Sequence, residues 1–120
     1  MTEDLIDSVA LAGAVIPPLF QIEVGNSLLT GVRRQRIAAE YIHEALDLIR
    51  QLPLRVDNSS ADYVWSSTID LAAAYGLTLY DATYLELAIR LDLPLATLDA
   101  RLAHAAKMAG VPSPWPQTRN

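Results

Sequence analysis

The chain has 120 residues, the size of one domain, with 52% hydrophobic and 19% charged residues. That balance can fill a core and excludes intrinsic disorder. Nine Lys and Arg stand against fourteen Asp and Glu, a formal net charge of −5. This argues against bulk, charge-driven nucleic-acid binding, but does not exclude a nuclease whose metals bring their own positive charge.

There is no cysteine, hence no disulfide framework, no thiolate zinc site and no thiol nucleophile. Two histidines are too few for an imidazole-rich metal site. A bound metal would have to be held by carboxylates, which points to Mg²⁺ or Mn²⁺. No stretch approaches the roughly 18 apolar residues of a membrane span. The opening Met1-Thr2-Glu3-Asp4 is acidic where a signal peptide is basic. The expectation is a cytoplasmic protein with no membrane partner.

In chain order, Glu3 to Ala12 reads as a short helix with Thr2 as its N-cap and Gly13 as its stop. Ala14-Val15-Ile16 is an apolar run ended by Pro17-Pro18 and reads as a strand. Leu19 to about Arg34 is helical, with Pro18 near its start. A third helix runs from about Ala38 to Gln51, with Ile42, Ala45, Leu46 and Ile49 at helical spacing. Leu54-Arg55-Val56 is a second strand, and Asp57 to Ser60 supply turn and cap residues. Ala61 to Tyr75 reads as one helix with Gly76 at its end, followed by a helix from Tyr80 to Leu91. Leu95-Ala96-Thr97-Leu98 reads as a third strand, and Asp99 opens a last helix that Gly110 ends. Residues 1–111 form the expected domain, and 112–120, with three prolines, an extended or mobile tail. Short apolar strands between amphipathic helices give an α/β fold around a small parallel sheet, where ligands sit at the carboxyl ends of strands.

Three carboxylates draw attention on that rule. Asp99 follows the expected strand Leu95–Leu98 directly, as an N-cap or as a ligand. Glu23 lies in the run Ile22-Glu23-Val24, where it either faces solvent at the edge of an apolar face or needs a partner or a metal. Asn26, one turn on, shares its face. Asp81 falls in the first turn of its helix, with Thr78 competing for the cap. The spacing alone leaves these alternatives open.

The blocks Val15-Ile16-Pro17-Pro18-Leu19-Phe20-Gln21-Ile22-Glu23-Val24-Gly25-Asn26, Gly76-Leu77-Thr78-Leu79-Tyr80-Asp81-Ala82 and Ala96-Thr97-Leu98-Asp99 resemble, in this order, the PIN-domain family, in particular its VapC-type toxin ribonucleases. The resemblance implies a three-layer α/β/α fold with a parallel sheet. It implies a metal-dependent endoribonuclease with an RNA substrate, a cognate antitoxin partner, and acidic residues holding Mg²⁺ or Mn²⁺. Matched by position, Glu23, Asp81 and Asp99 are three of those catalytic and metal-binding acids, with Asn26 and Thr97 as hydrogen-bonding support.

The family normally opens with a strand reading apolar-apolar-Asp-x-Ser, which this chain lacks. Leu5-Ile6-Asp7-Ser8 imitates it, but Asp7 lies only 16 residues before Glu23, too close for the intervening elements. Two readings follow: an active ribonuclease, or a catalytically impaired PIN-like module with a binding or oligomerisation role. Loss of a central strand would leave apolar edges unpaired, so a homodimer through the Ala14-Val15-Ile16 region is expected. The cluster Arg33, Arg34 and Arg36 reads as a solvated helix end or a phosphate contact. Trp65 and the five Tyr read as core and interface residues rather than base-stacking platforms, with Tyr80 and Tyr84 flanking Asp81.

Overall fold

A computed structural model of the chain describes residues 13–114. The expected helix Glu3–Ala12 and the tail beyond residue 114 lie outside that range. The chain divides after Val56 into two compact units. In the first, strand β1 (Ala14–Ile16) leads through helix α1 (Leu19–Arg33) and helix α2 (Tyr41–Arg50) into strand β2 (Leu54–Val56). The strands run parallel, with Ala14 opposite Leu54, Val15 opposite Arg55 and Ile16 opposite Val56. Parallel neighbours require a crossover, and the two helices supply it. Gly13 enters β1 at φ +81°, where a Cβ would sit 2.9 Å from the Pro53 carbonyl oxygen, so any side chain there would clash with backbone. Ile16 and Pro17 are buried, whereas α1 and α2 bury no residue completely.

The second unit departs from the expected single helix over Ala61–Tyr75. The chain instead forms a 3₁₀ turn (Ser60–Tyr63), a π-helical turn (Val64–Thr68) and then helix α3 (Ile69–Tyr75). The three periods differ, and the change of period turns different side chains inward than one α-helix would. Thr68 is buried as a result, while Trp65, expected in a core or an interface, is 90% exposed. Gly76 ends α3 in the left-handed region at φ +65°, and Leu77 N–H bonds the Ala72 carbonyl at 3.0 Å. Helix α4 (Leu79–Leu91) and helix α5 (Ala100–Met108) complete the unit.

Its core is made by Ala82, Leu85 and Ala88 of α4, Leu102, Ala105 and Ala106 of α5, and Ala72, Leu77 and Val111. Many of these side chains are small, which lets the helices approach closely. The expected strand Leu95–Leu98 is not one among the described residues. Leu95 packs on the core and its N–H bonds the Pro112 carbonyl at 3.0 Å. Leu98, however, is 72% exposed, so the apolar run is not covered on both faces as a parallel strand requires.

The densest polar cluster of this unit centres on Arg90. Its Nη2 reaches Asp57 Oδ2 at 2.6 Å and Nη1 reaches Oδ1 at 3.3 Å. Nε and Nη2 bond the two carboxylate oxygens of Glu86 at 2.7 and 3.1 Å. Ser60 Oγ donates to Asp57 Oδ2 at 2.7 Å, and the guanidinium lies 4.6 Å from the centroid of the Tyr63 ring. The Glu86 side chain is only 4% exposed, so its charge depends on this fork. Bonding to Arg90 lowers the Asp57 pKa to about 2. Arg90 itself is held still more firmly protonated, first by Glu86 and then by Asp57.

Two predictions follow for stability. Arg90→Met strands two carboxylates and should lower unfolding free energy by about 3–5 kcal/mol, measured by denaturant titration. Because the Asp57 pKa falls from 3.8 to about 2 on folding, the unfolded chain binds more protons across that window. This contribution is therefore complete above pH 4 and is lost as pH falls toward 2. Asp57→Asn should remove that acid-side dependence in pH-resolved melts.

Candidate functional site

Asp99 is the N-cap of α5: its backbone is extended, at φ −76° and ψ 121°, and Oδ1 accepts from Leu102 N–H at 2.9 Å. Its own N–H donates to Thr97 Oγ1 at 3.1 Å, the supporting contact expected of Thr97. The capping alternative is thus realised, but it occupies only one carboxylate oxygen. The residue is exposed at the helix N-terminus, where a negative charge is favoured.

Asp81 is not a cap. Thr78 takes that place, its Oγ1 accepting from Asp81 N–H at 3.1 Å. Asp81 lies in the first turn of α4, where it is half-buried. Thr83 Oγ1 donates back to the Leu79 carbonyl at 2.8 Å, and Ala82 and Leu85 anchor the same turn in the core. The acidic position is therefore carried on a rigid support.

Glu23 sits in the second turn of α1 and is half-buried. Its neighbour Ile22 is 68% exposed and α1 buries nothing fully, the surroundings of an edge position. Asn26 is exposed one turn further on. Glu23 belongs to the first unit, and Asp81 and Asp99 to the second. Among the described residues, no group of three or more His, Asp or Glu side chains is arranged to hold a metal ion. The donor set nonetheless suits a hard cation in kind, being all carboxylate oxygen.

The remaining candidates separate cleanly. Arg33, Arg34 and Arg36 are exposed around the end of α1, which suits a solvated helix end and a phosphate contact alike. Tyr84 packs against the core and Tyr80 is 65% exposed. Asp57, Glu86 and Arg90 stand outside the sequence motifs of the site. A signal existed, because Glu86 interrupts the apolar run Leu85-Glu86-Leu87-Ala88 and has Arg90 one helical turn away.

A PIN-domain family model matches residues 2–108. Over 95 residues the chain is 37% identical to "Ribonuclease VapC1" of Mycobacterium tuberculosis strain CDC 1551 / Oshkosh, and equally to the protein of that name from strain ATCC 25618 / H37Rv. The match covers 74% of this chain and 65% of each relative. The parallel pair β1–β2, the helices that connect it and the helix-terminal acids all fall within the matched residues. The chain belongs to the PIN-domain family.

Proposed function

We propose that this chain is a metal-dependent endoribonuclease of the PIN kind, the toxin component of a toxin–antitoxin pair, acting in the cytoplasm on RNA. Its similarity to proteins named ribonucleases over 95 residues carries this reading. Glu23, Asp81 and Asp99 serve as metal ligands, and the cation is Mg²⁺ or Mn²⁺, since both prefer carboxylate oxygen. When bound, such an ion supplies Lewis-acid stabilisation of charge on the scissile phosphate. The chain's own residues contribute position and proton transfer. Thr78, not Asp81, caps α4, and the Leu102 N–H fixes the Asp99 carboxyl plane through Oδ1. A carboxylate so placed accepts the proton of an attacking water, and no protein nucleophile is required.

Residues 1–111 act as the PIN domain and 112–120 as its tail. Two chains pair as a homodimer through the β1 region, because β1 is hydrogen-bonded only to β2 among the described strands. A two-stranded sheet is marginal by itself and its edge is a template for another strand. Sedimentation in dilute solution should give the dimer mass. A second reading, a binding or oligomerisation module with impaired catalysis, rests on the donor set, in which the described residues form no three-acid group.

Cleavage of a mixed RNA pool should require Mg²⁺ or Mn²⁺ and stop with EDTA. Asp81→Asn should abolish it while thermal stability stays nearly unchanged or improves, as Thr78 still caps the helix. Asp99 separates its two roles by substitution. Asn caps as well as Asp, so Asp99→Asn should keep stability and lose activity, whereas Asp99→Ala should also lose about 1 kcal/mol of stability. Full activity in Asp99→Asn would leave the residue only its structural role.

A further inference from the structure

Two of the candidate acids share a local arrangement. In Thr78-Leu79-Tyr80-Asp81 the Asp81 N–H donates to Thr78 Oγ1 at 3.1 Å. In Thr97-Leu98-Asp99 the Asp99 N–H donates to Thr97 Oγ1, also at 3.1 Å. In both, the residue just before the acid is a large apolar one left in water. Tyr80 is 65% exposed and Leu98 is 72% exposed. The sequence places the tyrosines in a core or an interface, and this exposure takes Tyr80 out of the core. A lone exposed apolar side chain is ordinary. Two of them, each set between a threonine and the acid it bonds, form a pattern.

The support beneath Tyr80 is rigid. Thr83 Oγ1 donates to the Leu79 carbonyl at 2.8 Å, so the residues on both sides of Tyr80 are pinned. Beyond them α4 sinks into the protein, with Ala82, Thr83, Leu85, Glu86, Leu87 and Ala88 all buried. A tyrosine has two side-chain torsions, so its ring offers a large flat surface at little entropic cost. Consecutive Cα atoms lie about 3.8 Å apart. A side chain one residue from a ligand of the phosphate-binding cation is therefore within reach of a base on the same stretch of RNA.

We propose that Tyr80 stacks on an unpaired nucleobase of the RNA beside the scissile phosphate, with Leu98 in apolar contact with a second base. The inference rests on the ribonuclease reading and adds to it the side chains that grip the substrate. Charge points the same way. From Asp57 to Ile89 there is no Lys, Arg or His, so the chain around Tyr80 offers phosphates no cation. Arg90, next in line, is paired with Asp57 and Glu86. Contact with base faces is the source of affinity left to this segment, and it tolerates any base because each has a π-face.

The probes are single-stranded oligoribonucleotides carrying 2-aminopurine at successive positions, whose emission stacking quenches. They are titrated with the full chain in Ca²⁺, a hard cation that takes oxygen ligands. One position should show saturable quenching, which Tyr80→Phe keeps and Tyr80→Ala removes. In Mg²⁺ or Mn²⁺, Tyr80→Ala should raise KM for RNA about 10-fold with kcat unchanged, a ratio that salt leaves alone. Leu98→Ser should raise KM by a smaller factor. An abasic nucleotide at the quenched position should weaken binding by the parent chain as much as Tyr80→Ala does, and add nothing in that variant. RNA cleavage with no quenching at any position, an unaltered KM in Tyr80→Ala or Leu98→Ser, a Phe variant as impaired as Ala, or a KM deficit that tracks a change of mass in dilute solution would overturn this inference alone. A parent chain that neither binds nor cleaves RNA would overturn the ribonuclease reading with it.

Discussion

The fork between Arg90 and its two carboxylates is the constraint on which the second unit depends. Glu86 is nearly inaccessible to water on the core-forming helix α4, and its charge is tolerable only with a cation in bonding contact. Arg90, one turn later, meets that need and reaches Asp57 at the head of the unit. Ser60 and Tyr63 complete the enclosure from the 3₁₀ turn. The loop that opens the unit is thus tied to the helix that carries Asp81 at its other end. Helix α4 is held at its start by the Thr78 cap and near its end by this fork, with Ala82, Leu85 and Ala88 packed between.

The same economy shows at the helix N-termini. A carboxylate there can be spent on capping or kept for chemistry, and the two acids of this unit differ in how they divide those tasks. Thr78 relieves Asp81 of capping altogether. Asp99 caps with one oxygen and retains the other. Both positions gain from the helix dipole, which favours a negative charge at a helix N-terminus.

Much of this was legible in the residues. The strands Ala14–Ile16 and Leu54–Val56 and the stop at Gly76 were read from short apolar runs and turn chemistry, and the structure has them. Family blocks around Asp81 and Asp99 pointed to the correct helix ends. What escaped has physical causes. The run Leu95–Leu98 has a strand's composition, yet strand identity depends on a partner and on cover for both faces, which no local pattern encodes. The 3₁₀ and π turns before α3 share residue types with an α-helix, so the rotation that exposes Trp65 was hidden. The Arg90 fork joins positions 33 residues apart, beyond any window of periodicity.

The central proposal is that Glu23, Asp81 and Asp99 serve as ligands of a divalent cation. Paramagnetic broadening by Mn²⁺ tests it directly, read at the backbone amides of Val24, Ala82 and Ala100 in the two-dimensional NMR spectrum. The account predicts that all three broaden together at substoichiometric Mn²⁺, that Mg²⁺ reverses the effect, and that Asp81→Asn abolishes it at every one of them. Broadening confined to a single one of these amides, or unchanged in Asp81→Asn, would contradict it.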